Sequence, residues 1–223
     1  MPVTAGGYSI CMKCSQNPHK AENRLIKAAQ RGDLDAFNLL ILLYQNFLFG
    51  IAFRILHDED ATADAVQEAL ISAFRKFNTF RGGSLRSWLA RVVINACYDE
   101  VRHKRRQRTV PLEQFNSSGE EIESAYWLVD PGVGPEEYFE AYELDHAVQD
   151  SLHTLPPMYR TVLVLVDMEG LSYEEAAAAA GVPVGTVKSR LARARLQMQN
   201  SLQAFGELLP APYRAELPVP LGM

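Results

Sequence analysis

The stretch Leu171–Met198, LSYEEAAAAAGVPVGTVKSRLARARLQM, constrains this chain more than any other. Ser172 and Glu175 have the spacing of a capping box and predict a short helix running through the alanines. Gly181 stops that helix, and Pro183, Gly185 and Thr186 start a second. In the second helix Val187, Leu191, Ala194 and Met198 recur at three or four residues and share one face. Lys188, Arg190, Arg193 and Arg195 fan out around that face, with Ser189 and Ala192 opposite it. No acidic residue lies between Gly185 and Asn200. Helix, glycine turn, helix is the helix-turn-helix plan. A cationic, acid-free second helix with a small residue at its outer centre can approach a major groove closely.

The net charge of −5 over 223 residues, taken alone, argues against a nucleic-acid partner. Its distribution argues otherwise. Arg81 to Arg108 holds 8 basic and 2 acidic residues, whereas Thr109 to Asp150 holds 11 acidic and no Lys or Arg. Overall charge is therefore a poor guide to what the chain touches. No apolar run is expected to reach the roughly twenty residues of a membrane span, and no signal peptide pattern is read at the start of the sequence. The expectation is a cytoplasmic protein without membrane insertion.

Residues 1–20 lack helical period and are expected to form a flexible arm. Cys11 and Cys14 form a C-x-x-C with His19 nearby, but a zinc site needs a fourth ligand. A redox or zinc sensor is the weakest functional alternative. Helical spacing begins at Leu25, Ala28 and Ala29 and continues from Phe37 to Leu56. Asp60 is placed to cap a third helix, with Ala65, Val66, Ala69, Leu70, Ala73, Phe74 and Phe77 inward. Its other face carries Asp64, Gln67, Glu68 and Arg75, which pattern alone reads as solvent-exposed. After the polar loop Phe80–Ser84, Ser84 or Ser87 caps a helix to about His103, with Trp88, Leu89, Val92, Val93, Ala96 and Val101 inward. On its polar side Arg91, Asn95, Tyr98 and Arg102 form one narrow strip leading into Lys104, Arg105 and Arg106. Two arginines, an amide and an aromatic can engage phosphates, base edges and an unstacked base.

Residues 109–140 read as an acidic linker, too rich in Pro, Gly and Ser for a core of its own. Leu144, Val148, Leu152 and Leu155 then form a stripe. Pro156-Pro157 starts a new helix with Met158, Val162, Leu165 and Val166 inward. The tail, 206–223, is proline-rich. No strand pattern occurs. The expected fold is all-α: two small helical domains, 21–108 and 141–205, joined by a flexible acidic linker, the second containing the helix-turn-helix.

Two motif sets carry a resemblance. The first runs through GDLDAFNLL, Asp64-Ala65-Val66-Gln67-Glu68-Ala69, Phe80-Arg81-Gly82, Ser87-Trp88-Leu89 and Ile94-Asn95-Ala96. The second is Leu155-Pro156, Gly170-Leu171-Ser172-Tyr173-Glu174-Glu175-Ala176-Ala177 and Val184-Gly185-Thr186-Val187-Lys188-Ser189-Arg190-Leu191. In this order they resemble bacterial RNA polymerase sigma factors of the extracytoplasmic-function type. The resemblance implies that Asp64, Gln67 and Glu68 dock on the clamp helices of the polymerase largest subunit, with the flap as a second contact. It implies that Arg81, Ser84, Arg91, Asn95, Tyr98, Arg102, Lys104 and Arg105 serve the melted minus-ten element. Thr186, Lys188, Ser189, Arg190 and Arg193 would serve the minus-thirty-five element, and the acidic linker would thread the RNA exit path. It implies an anti-sigma partner. The residues themselves offer no nucleophile–base pair, phosphate loop or metal set, so no catalysis, metal or cofactor is expected. Two departures stand out: Leu70 replaces a common phenylalanine, and Ala178–Ala180 thin the apolar side chains of the first motif helix. The runner-up is a polymerase-independent helix-turn-helix regulator, which leaves the first motif set without a role.

Overall fold

The computed structural model describes residues 18–107 and 135–205, and among these every regular element is helical. The first bundle comprises α1 (Pro18–Ala29), α2 (Leu34–Leu56), α3 (Glu59–Lys76) and α4 (Leu85–Gln107). Asp33 caps α2 by accepting from the Ala36 amide, and α2 ends at His57 in the left-handed region, φ 53°. Asp58, not Asp60, caps α3, accepting from the Ala61 amide at 2.8 Å. Asp60 sits inside the first turn, where its charge still faces the positive helix end. At α4 the choice resolves to Ser84, whose Oγ accepts from the Ser87 amide at 3.3 Å, while Ser87 itself is buried.

The buried face of α3 is almost entirely alanine: Ala61, Ala65, Ala69 and Ala73. Small side chains let α2 and α4 come close on either side. Their Leu40, Leu48, Ile51, Ile55, Leu89, Val93 and Ile94 then fill the core. Phe77, in the 3-10 turn Phe77–Thr79, is fully buried and meets Phe37 and Trp88 edge-on at 5.4 and 5.6 Å. Cys97 belongs to the same core, and burial pushes its thiol up to about 12. Leu70 is partly buried and packs against this core.

One expectation fails in α2. By length and composition this helix could cross a membrane. It instead packs Phe37, Leu40, Leu48, Ile51 and Ile55 into the bundle and leaves Leu42 and Leu43 exposed. Its occasional polar residues had masked how apolar the whole stretch is.

The second bundle comprises α5 (Pro135–Thr154), α6 (Pro157–Leu163), α7 (Tyr173–Ala180) and α8 (Val184–Leu202). Two boundaries shift: α1 begins at Pro18, within the expected arm, and α5 begins at Pro135, within the expected linker. Val164–Met168 forms a π-turn that continues α6, closed by the Glu169 amide on the Val164 carbonyl at 2.9 Å. Met158, expected inward, is exposed at the first turn of α6, and Arg160 is buried instead. The two bundles pack against each other: α4 lies on α7, and α2 meets α5, α6 and the π-turn. Their buried residues form one continuous cluster.

Candidate nucleic-acid interface

The helix-turn-helix forms as its sequence dictates. Ser172 Oγ accepts from the Glu175 amide at 3.1 Å, and Glu175 Oε2 accepts from the Ser172 amide at 3.0 Å. These bonds, with one from Ser84, hold the Glu175 carboxyl below its usual value. Gly181 closes α7 at φ 67°, a conformation that a side chain would strain. Val187, Leu191 and Ala194 are buried and Met198 packs against them. This turns Lys188, Ser189, Ala192 and Arg193 to solvent, with Thr186 and Arg190 half-buried at their flank. Lys188 Nζ stands 5.5 Å over the Tyr173 ring, and Arg193 donates to the Tyr159 hydroxyl at 3.4 Å. Arg195 is held by Asp167, whose two carboxylate oxygens accept from its Nε and Nη2 at 2.9 and 2.6 Å.

The strip on α4 is assembled but largely engaged. Arg91 and Asn95 are exposed on one side of the helix. Tyr98 is half-buried, its hydroxyl 2.8 Å from Thr161 Oγ1 on α6. Arg102 pairs with Asp99 at 2.9 Å. Lys104 pairs with Asp58 at 2.6 Å, which holds that carboxyl low. Ser84 Oγ donates to Glu175 Oε1 at 2.8 Å, while Arg81 on the same loop is exposed. The backbone of Arg105 continues α4. Cys11 and Cys14 lie outside the described residues.

Asp64, Gln67 and Glu68 are exposed together on α3. With Ile71 of α3 and Asp99, Glu100 and His103 of α4 they line an open groove of about 570 Å³. The groove combines an acidic wall with one exposed isoleucine, so a basic partner helix with an apolar residue would suit it.

Four residues that organise the seam between the bundles escaped sequence reading. Arg160 lies buried and donates to Ile55 O at 2.5 Å, His153 O at 2.6 Å and Leu155 O at 3.1 Å. These carbonyls close α2 and α5, where intrahelical donors run out, so one guanidinium serves two helix C-termini. Burial lowers the pKa of Arg160. Arg54 meets Glu169 at 2.8 Å, and Arg86 donates to the Glu169 carbonyl. Burial raises the Glu169 carboxyl, against the pull of Arg54 and Arg86. A signal for Arg160 existed: its helical neighbours Leu163 and Val164 are apolar, so it shares a face with the core.

Comparison with known proteins matches two family models: Sigma-70 region 2 over residues 40–107 and Sigma-70, region 4 over residues 145–198. The RNA polymerase sigma-H factor of Pseudomonas aeruginosa is 36% identical over 183 residues, covering 82% of this chain and 94% of that protein. The ECF RNA polymerase sigma-E factor of Escherichia coli K12 is 34% identical over 186 residues, covering 80% and 93%. Among solved structures, CnrH in complex with the cytosolic domain of CnrY aligns with a TM-score of 0.60 at 26% identity, covering 82% of this chain and 98% of that one. The sigma factor RpoE bound to the anti-sigma factor NepR from Bartonella quintana aligns with a TM-score of 0.57 at 26% identity, covering 76% and 98%.

Proposed function

The chain belongs to the sigma-70 family of RNA polymerase sigma factors, in its extracytoplasmic-function group, and from that premise we propose how its two halves divide their task. The protein is a transcription initiation factor that directs RNA polymerase to promoters. α8 enters the major groove of the minus-thirty-five element, with Lys188, Ser189, Arg190 and Arg193 toward base edges and Thr186 on a phosphate. The loop at Arg81 and Ser84 and the strip Arg91, Asn95, Tyr98 and Arg102, continued by Lys104 and Arg105, receive the melted minus-ten strand. Asp64, Gln67 and Glu68 dock on the clamp helices of the largest polymerase subunit, and the second bundle contacts the flap. An anti-sigma protein is the negative partner, in line with the solved complexes of similar chains. No catalytic step is assigned to this chain.

The observation that carries this reading is the open outer face of α8: small and cationic residues outward over a buried Val187–Leu191–Ala194 seam. Two weak DNA contacts on one polymerase reinforce each other, because the second is intramolecular. The test is promoter-dependent transcription by core polymerase with and without the protein. Arg190→Ala or Arg193→Ala should weaken it by roughly tenfold, in line with about 1–3 kcal/mol for a good base contact. Binding to core polymerase should be unchanged. Absence of both core binding and stimulated transcription would refute the reading.

A further inference from the structure

We propose that Tyr159 and Tyr173 are positioning residues for minus-thirty-five recognition, each holding one base-reading cation of α8 in place without neutralising it. The inference rests on the assignment of Lys188 and Arg193 to base edges. The basic side chains of α8 differ in what their neighbours offer them. Arg195 meets a carboxylate, with Asp167 accepting from its Nε and Nη2 at 2.9 and 2.6 Å. That pairing partly compensates the charge of Arg195 before any DNA arrives. Lys188 and Arg193 meet tyrosines instead. Lys188 Nζ stands 5.5 Å from the centre of the Tyr173 ring, close enough for a cation–π contact. Arg193 Nη1 donates to the Tyr159 hydroxyl at 3.4 Å. Among the described residues neither of these two cations pairs with a carboxylate.

The two tyrosines come from the two helices that pack beside α8. Tyr159 lies in the first turn of α6 and Tyr173 in the first turn of α7. Both are half-buried against the core, so packing fixes their rings, while Lys188 and Arg193 stay exposed. A neutral holder suits a side chain that must read bases. Lysine and arginine have large rotamer freedom, and docking on a base edge removes part of it. A fixed ring that restricts the cation beforehand lowers that loss and leaves the charge for DNA. Arg193 commits a single donor to Tyr159, which leaves the rest of its guanidinium for a base. The two rings act through different atoms. Tyr159 works through its hydroxyl and Tyr173 through its π face, so the same substitution has opposite consequences at the two positions.

The test is transcription by the reconstituted holoenzyme of a promoter library randomised across both elements, each template barcoded in its transcribed region. Sequencing the transcripts gives the base preference at every minus-thirty-five position. Arg193→Ala and Lys188→Ala first mark the position that each cation reads. Tyr159→Phe removes only the hydroxyl and should lower the preference at the Arg193 position by about threefold, with the Lys188 position as in wild type. Tyr173→Leu should do the same at the Lys188 position alone. Tyr173→Phe keeps the ring and should keep wild-type preference there. A merely structural role for either tyrosine would weaken all positions together. The inference is overturned if Tyr159→Phe or Tyr173→Leu leaves its cation's position unchanged, if the loss spreads evenly over the element, or if Tyr173→Phe loses as much as Tyr173→Leu. Should Tyr173→Leu not fold, Tyr159→Phe, which removes one oxygen, decides by itself. If Lys188→Ala and Arg193→Ala mark no position at all, the minus-thirty-five reading falls, and this inference with it.

Discussion

Arg160→Leu is the substitution that most directly asks whether the seam stabilises the fold. The wild-type guanidinium donates to Ile55 O, His153 O and Leu155 O, with Nε buried and unpartnered. Two effects oppose each other. Removing a buried cation relieves a desolvation cost of several kcal/mol, and among the described residues no carboxylate pairs with this one to offset it. Against that, Ile55 and Leu155 are buried, and their carbonyls lose the donor at about 1–3 kcal/mol each. The carbonyl of His153 lies on an exposed residue, where water can replace the bond. Because the three bonds are charge-assisted and set at two helix C-termini, the losses should win by about 2–4 kcal/mol. For a chain of this size that is a fall in Tm of roughly 5–15 °C, read by circular dichroism. Since Ile55 belongs to one bundle and Leu155 to the other, calorimetry should also show the single transition broadening or splitting. Arg160→Lys should fall between the two, because lysine keeps the charge but lacks the planar fork. An Arg160→Leu protein as stable as wild type would refute the reasoning: the cation would then be a net burden, and the carbonyls would not need it.

Ser172→Ala removes the capping box and should cost about 1 kcal/mol, seen as a lowered urea midpoint with an unchanged slope. Phe77→Ala empties the centre of the first bundle and should cost about 3–5 kcal/mol, enough to leave much of the protein unfolded at 37 °C by circular dichroism. Acid should loosen the seam. Desolvation, Arg160 and His57 lower the pKa of His153, with Asp150 opposing, so the folded form binds its proton less readily than the unfolded chain does. Its contribution is full above about pH 6.5 and falls as the pH drops through and below that value. Glu169, raised by burial, has the opposite sign but titrates from the carboxylate range upward. The urea midpoint should therefore drop between pH 7.5 and 5.5, and less so in His153→Asn; equal drops would remove His153 as the cause.

Local chemistry made most of the fold legible. A capping box, a glycine and an inward stripe are sequence-local, and the helix-turn-helix emerged at Ser172, Gly181, Val187, Leu191 and Ala194 as read. The misses share one property: they depend on partners far along the chain. Met158 fits a helical stripe as well as Arg160 does. What decides between them is that the Ile55 carbonyl of α2, more than a hundred residues earlier, stands where a guanidinium can reach it. The cap of α3 differs only in that Asp58 had two acidic rivals next to it in HDED, and spacing to the apolar stripe could not separate them.

The site residues show the same division with a consequence for mechanism. Periodicity placed Arg91, Asn95, Tyr98 and Arg102 on one strip, and the helix does carry them together. Periodicity says nothing about what lies on the strip. An isolated α4 would present Tyr98 as an open aromatic platform, whereas here its hydroxyl is already satisfied by Thr161. Satisfying a polar group between bundles lowers the free energy of this packed arrangement, and any ligand of that hydroxyl must supply at least as much to displace it. α8 carries no such debt, since its outward residues meet no group of the first bundle among the described contacts. The two faces therefore differ in what any ligand has to displace: at α4 the Tyr98–Thr161 hydrogen bond, at α8 nothing that the first bundle supplies among the described residues.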